Sequence, residues 1–189
     1  SPIIAWARYL EVETGKYDTV ARVTNQNVTA GIRDIPYSFK LYDENGILIA
    51  ERRGKTFINP NEQFTIFEGA IETGKRVPVK VFFEFLAREE WVKVKKTAPV
   101  FSIQNQTFTD DGSKPRLRAE IANNSFDPIE HIILTALVFN SEGNVLAASK
   151  TEVDRLVPQS SKTFSFIWPK SFRDVPTRIE IVPRVDIVN

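Results

Sequence analysis

Large apolar side chains fall at every second position through much of this chain. They do so in Tyr37-Ser38-Phe39-Lys40-Leu41 and again in Thr163-Phe164-Ser165-Phe166-Ile167-Trp168, after which Pro169 stops the pairing. A period of two marks strands with one dry and one wet face. The pattern predicts strands over 17–25, 35–43, 48–55, 64–72, 77–85 and 91–96, then over 100–109, 117–123, 132–140, 145–152, 162–168 and 178–188. Asp43-Glu44-Asn45-Gly46 and Asn140-Ser141-Glu142-Gly143-Asn144 supply Gly and Asn where positive φ is needed, so each predicts a hairpin between two long strands. No segment of ten residues carries a helical period, and 85–91 has room for one helical turn at most.

The strand pattern occurs twice. Ala21-x-Val23-x-Asn25 returns as Ala119-x-Ile121-x-Asn123, Pro60 as Pro158, and Val77-Pro78 as Val175-Pro176, each 98 positions further on. A constant offset across separate blocks indicates two copies of one domain. Six or seven short strands per copy, with turn signals every 8–12 residues, fit an antiparallel sandwich. The expected architecture is therefore all-β, with two tandem immunoglobulin-like β-sandwich domains over 1–97 and 98–189. The strand over 81–85 presents apolar residues to both faces, which predicts a cover over one of them.

Composition removes several classes of chemistry. Twenty-five Lys and Arg balance 24 Asp and Glu, and the balance holds in each half: 15 basic against 13 acidic residues over 1–97, 10 against 11 over 98–189. No one-sided basic field exists to hold a phosphate backbone, so no nucleic-acid partner is expected. Cys is absent and His131 is the single His, which removes thiolate metal sites, disulfides and the usual nucleophilic triads. No enzyme activity, no catalytic residue, no metal site and no cofactor are expected. Met is absent even at position 1, which reads as a processed product or an excised piece of a longer chain. No apolar run reaches the ~18 residues that cross a bilayer, so a membrane anchor is expected in sequence before Ser1.

Phe39-Lys40-Leu41-Tyr42-Asp43 spells F-x-L-Y-D, with Val23-Thr24-Asn25 on the strand before it, Gly46 in the turn after it and Pro60 beyond. On these residues the first copy resembles the FxLYD domain of bacteria and archaea. The second copy carries Ala136-Leu137-Val138-Phe139-Asn140 at the motif position and joins the resemblance through its alignment with the first. The resemblance implies a sandwich domain of membrane-anchored or exported prokaryotic proteins, and it brings no catalytic residues. Read physically, the motif is structural: Phe39 and Leu41 face the core, Tyr42 ends the strand, and Asp43 starts the turn by accepting from its own following backbone.

The binding candidates are few. Trp91, Lys93 and Lys95 share one face of a strand, as a headgroup or polyanion contact or as a charged edge protected from open-ended pairing. Trp6 is a second aromatic candidate for stacking on sugar rings, and the alternation leaves Trp168 open between core and surface. Arg116 and Arg118 are expected on a solvent face with Leu117 inward. Glu130-His131 reads as a solvated loop pair, and Asp110-Asp111-Gly112 as a bend. The expected role is a non-catalytic, extracytoplasmic structural and protein-interaction module, periplasmic or at the cell surface, with protein partners in the cell envelope and a membrane-anchored full-length protein. The alternative is a glycan-binding adhesin that uses exposed aromatics. The oligomeric state is open.

Overall fold

The computed structural model describes residues 1–189 and is all-β, with no helix. Two compact units divide the chain, one of residues 1–96 together with 186–189, the other of residues 97–185.

In the first unit, β1 (Ile3–Glu13), β2 (Lys16–Thr24) and β5 (Gln63–Glu72) form one sheet in the order β1-β2-β5. The second sheet is β4 (Leu48–Ile58), β3 (Ala30–Tyr42) and β6 (Lys80–Phe85), with the short β7 (Trp91–Lys93) pairing the start of β3. Every pairing is antiparallel. The core lies between the sheets. Ala21, Val23, Phe64 and Ile66 come from one, and Ile32, Ile35, Phe39, Ile58 and Phe83 from the other, all nearly or fully buried. This is a sandwich, and alternation builds it by sending every second side chain inward.

The second unit repeats the plan. The strands β8 (Phe101–Thr109), β9 (Arg116–Asn123) and β12 (Ser161–Ile167) pair as β12-β9-β8. Opposite them β11 (Val145–Leu156), β10 (Ile129–Phe139) and β13 (Arg178–Arg184) pair as β11-β10-β13. Thus β8 to β13 pair among themselves as β1 to β6 do, which is the structural counterpart of the 98-residue offset. Leu117, Ile121, Leu134, Phe166 and Trp168 occupy its core. Trp168 is buried and its indole Nε1 donates to the Ala148 carbonyl at 3.0 Å, which resolves its position in favour of the core.

A duplicated asparagine closes each sandwich at the same corner. Asn25 is 2% exposed; its Nδ2 donates to the carbonyls of Asn59 (2.8 Å) and Ala30 (3.0 Å), and its Oδ1 accepts the Asn27 amide (3.0 Å). Asn123, 1% exposed, donates to Leu156 (3.0 Å) and Asp127 (2.8 Å) and accepts from Ser125 (2.9 Å). One side chain therefore supplies the hydrogen bonds that three backbone groups lose where the chain passes between sheets.

Several expectations differ from the structure. The strand Ile3–Glu13 is not among those expected, because apolar residues lie on both of its faces: Ala7 packs inward while Ile3 and Ile4 are exposed. Residues 85–91 hold no helical turn. Glu130 and His131 lie within β10 rather than in a loop; His131 is exposed with φ at +50°, and Glu130 accepts from Arg155 at 2.5 Å. The strand over 81–85 sends Val81, Phe83 and Phe85 to the core side, and Phe82 is the only apolar residue of that run facing out, so no broad apolar face needs a cover. The strand expected over 178–188 ends at Arg184, and the last four residues belong to the first unit instead of to 98–189. There Val188 is buried, a Cβ on Gly31 would stand too close to both the Ile58 carbonyl oxygen and Val188 Cγ2 (2.9 Å for the latter), and the Ile187 amide donates to Asn59 Oδ1 at 3.2 Å. Gly31 is the residue that allows this approach.

Candidate functional site

The F-x-L-Y-D residues divide as their alternation requires. Phe39 and Leu41 are fully buried; Phe39 packs its ring on Phe83 (4.8 Å between centroids) and on Tyr37 (6.1 Å). Tyr42 is the last residue of β3, and Asp43 opens the hairpin, its Oδ1 accepting the amides of Asn45 and Ile47, both at 2.9 Å. Asn140 does the same for Glu142 (3.1 Å) and Asn144 (2.9 Å) in the second unit. The Asp43 carboxylate is committed to the turn, which accounts for an acidic or amide residue at this position without a ligand.

The binding candidates do not converge. Trp91 and Lys93 lie on β7 and Lys95 just beyond it, all three exposed and alternating with the partly buried Val92 and Val94. Trp6 lies in the other sheet of the unit, on β1. The guanidinium groups of Arg8 and Arg22 each stand 5.7 Å from the centre of the Trp6 ring, so its π system is already engaged by cations. A continuous aromatic platform for sugars is not formed by these residues.

Two features escape inspection of the sequence. One is the loop from Asn123 to Pro128. Phe126 at its tip is 91% exposed, and the loop beneath it is braced. Asn123 Oδ1 accepts from the Ser125 amide (2.9 Å), the single Ser125 hydroxyl proton is shared between Asn123 Oδ1 (2.7 Å) and the Asp127 carbonyl (2.9 Å), and Gln159 Nε2 donates to the Ser125 carbonyl (3.0 Å). Val157, half exposed, lies two residues before Gln159. A loop that is already fixed leaves binding little backbone mobility to remove beneath the aromatic. The repeat carried the one legible signal: Val28, also exposed, stands at the corresponding place in the first unit.

The other feature is a shallow concavity of about 390 Å³ on β8 and β9, bounded by Asn105, Thr107, Thr109, Arg116, Arg118 and Glu120. Arg116 and Arg118 are exposed while Leu117 between them is fully buried, as the alternation requires. Asn105 adopts φ of +54° where the register between β8 and β9 shifts, and its Nδ2 donates to Glu120 Oε2 at 2.6 Å.

Asp18 is a buried carboxylate on β2. Burial on β2 pushes its carboxyl above the usual range, partly opposed by the Ala70 amide that donates to Oδ1 at 2.9 Å. The folded state therefore holds this proton more tightly than the unfolded chain. The linked stability is fully present below the ordinary carboxylate value of 3.8 and is lost as pH rises through the elevated value. Asp18→Asn keeps the acceptor for Ala70 and removes the charge. Melting curves at pH 7 and pH 4 are expected to show the variant's advantage over the parent shrinking on acidification; parallel curves would contradict this assignment.

No family model matches the sequence, and no curated protein matches it. Among solved structures, Bacteroides uniformis β-glucuronidase 2, covalently bound to cyclophellitol-6-carboxylate aziridine, aligns over 86% of this chain and 22% of its own, at 14% identity and a TM-score of 0.30. A second structure of Bacteroides uniformis β-glucuronidase aligns over 92% of this chain and 22% of its own, at 14% identity and TM-score 0.27. The calcium-binding domain CBD12 of CALX1.1 aligns over 96% and 81% at 14% identity and TM-score 0.26. This chain thus spans about a fifth of the glucuronidases' length. Overlap of this extent carries nothing about activity or ligand.

Proposed function

We propose that this chain is a non-catalytic protein-interaction module, the extracytoplasmic part of a membrane-anchored prokaryotic envelope protein. The observation that supports interaction is Phe126, held 91% exposed on a loop braced by hydrogen bonds. Interfaces draw most of their binding energy from a few aromatic anchors that arrive already ordered. The half-exposed Val157 nearby would extend the apolar contact, and the polar Ser125 and Gln159 would form part of its rim. A non-catalytic role is supported by a sequence whose single His and lack of Cys leave no nucleophilic triad to assemble. The envelope setting is supported by the resemblance of Val23-Thr24-Asn25 and Phe39-Lys40-Leu41-Tyr42-Asp43 to the FxLYD domain.

A photo-crosslinking residue placed at position 126, in envelopes of the source organism, tests the reading. One predominant crosslinked protein is expected. Added wild-type chain should compete it away, and Phe126→Ala should compete about 30-fold less well, the equivalent of about 2 kcal/mol at an interface anchor. The same substitution should leave the melting temperature nearly unchanged, because an exposed side chain supports nothing beneath it. Equal competition by the variant would end the assignment to Phe126. Recovery of the full-length protein in the cytosolic fraction would end the envelope reading.

A further inference from the structure

We infer that the concavity on β8 and β9 of the second unit binds an acidic polysaccharide, with Arg116 and Arg118 holding its carboxylate or sulfate groups. The two arginines are separated by one residue on a strand, so their Cα atoms stand about 6.7 Å apart and both side chains leave the same face. The unit's other arginines include Arg155, paired with Glu130, and Arg178, paired with Glu180, whereas Arg116 and Arg118 have no partner within the chain. Glu120, the nearest carboxylate on the strand, is bonded to Asn105 at 2.6 Å. The strained bulge at Asn105 thus directs an amide onto the acid and leaves both guanidinium groups free for an outside oxyanion.

The neighbours select the kind of anion. Thr107 lies directly across from Arg118 and Thr109 across from Arg116, while Ser165 flanks Arg118 on the other side. Hydroxyls interleaved with guanidinium groups match a chain that alternates hydroxyl-bearing and charged positions. A phosphodiester polymer calls for a longer basic track, and residues 98–189 carry 10 basic against 11 acidic side chains. The internal repeat adds a comparison. The positions 98 residues earlier are Asp18 and Val20, which are 9% and 0% exposed, so the corresponding face of the first unit is closed. The open pair of arginines belongs to the second copy alone.

The test is an amide chemical-shift titration of the whole chain with four probes: oligogalacturonate, chondroitin sulfate oligomers, the neutral maltohexaose, and sodium sulfate. Oligogalacturonate, chondroitin sulfate or both are expected to shift the amides around Thr107 and Arg118, and which of them does so separates carboxylate from sulfate recognition. Arg118→Gln should weaken that binding about tenfold, as expected for loss of one charge-assisted contact, and Arg116→Gln with Arg118→Gln should abolish it. Both side chains are exposed, so the variants should melt with the parent, and a Thr107→Val variant gives a second reading of the same site without changing charge. The proposal is overturned if neither acidic glycan shifts these amides, if maltohexaose shifts them equally, if the double variant still binds, or if free sulfate binds as tightly as the glycans.

Discussion

Asn123→Ala is expected to destabilise the second unit by about 2–4 kcal/mol, and Asn25→Ala to do the same to the first. Each substitution strips the hydrogen bonds from two carbonyls and one amide at a corner where the asparagine is almost wholly buried. A buried polar group left without a partner costs about 1–3 kcal/mol, and part of that cost is recovered where water enters the opened corner. Against a typical domain stability of about 5–15 kcal/mol the loss is large. Aspartate should not rescue either site, because its oxygen would face the carbonyls that now receive an N–H. Urea unfolding of the single variants would measure both effects, and a loss below about 0.5 kcal/mol would show that the corner holds without its asparagine.

Phe39→Ala should cost about 3–5 kcal/mol, confined to the first unit. Its ring is fully buried against Phe83, Tyr37 and the aliphatic core, and the neighbours on β3 and β6 are tied into a ladder that cannot collapse onto the vacancy. Each unit has its own core, so the melt of the second should stay where it is while the first moves down. Tryptophan fluorescence separates the two: Trp6 and Trp91 report on the first unit and Trp168 on the second. A uniform shift of both transitions would mean that the units unfold as one. Trp91→Ala is the control on the same unit, since a partly exposed aromatic on a three-residue strand should cost far less.

Alternation and turn chemistry in the sequence determined the all-β class, nearly all of the strands and the inward residues Phe39, Leu41 and Leu117, because a period of two leaves a side chain only two directions. The 98-residue offset determined that one strand plan occurs twice. Ile3–Glu13 was illegible because its apolar residues do not alternate cleanly, and the end at Arg184 because Val188 and Ile187 are placed by contacts around Gly31 and Asn59, far away in sequence. Only tertiary structure decided what each surface residue is free to do. Trp6 and Phe126 are both aromatics in the sequence, yet one has the guanidinium groups of two arginines near its ring and the other stands in water. Arg116 and Arg118 could be assigned to a solvent face from Leu117 alone, but their lack of a partner depends on Asn105, brought beside Glu120 across the β8–β9 ladder. Local periodicity reports which way a side chain points; what meets it there depends on residues that pairing brings in from elsewhere in the chain.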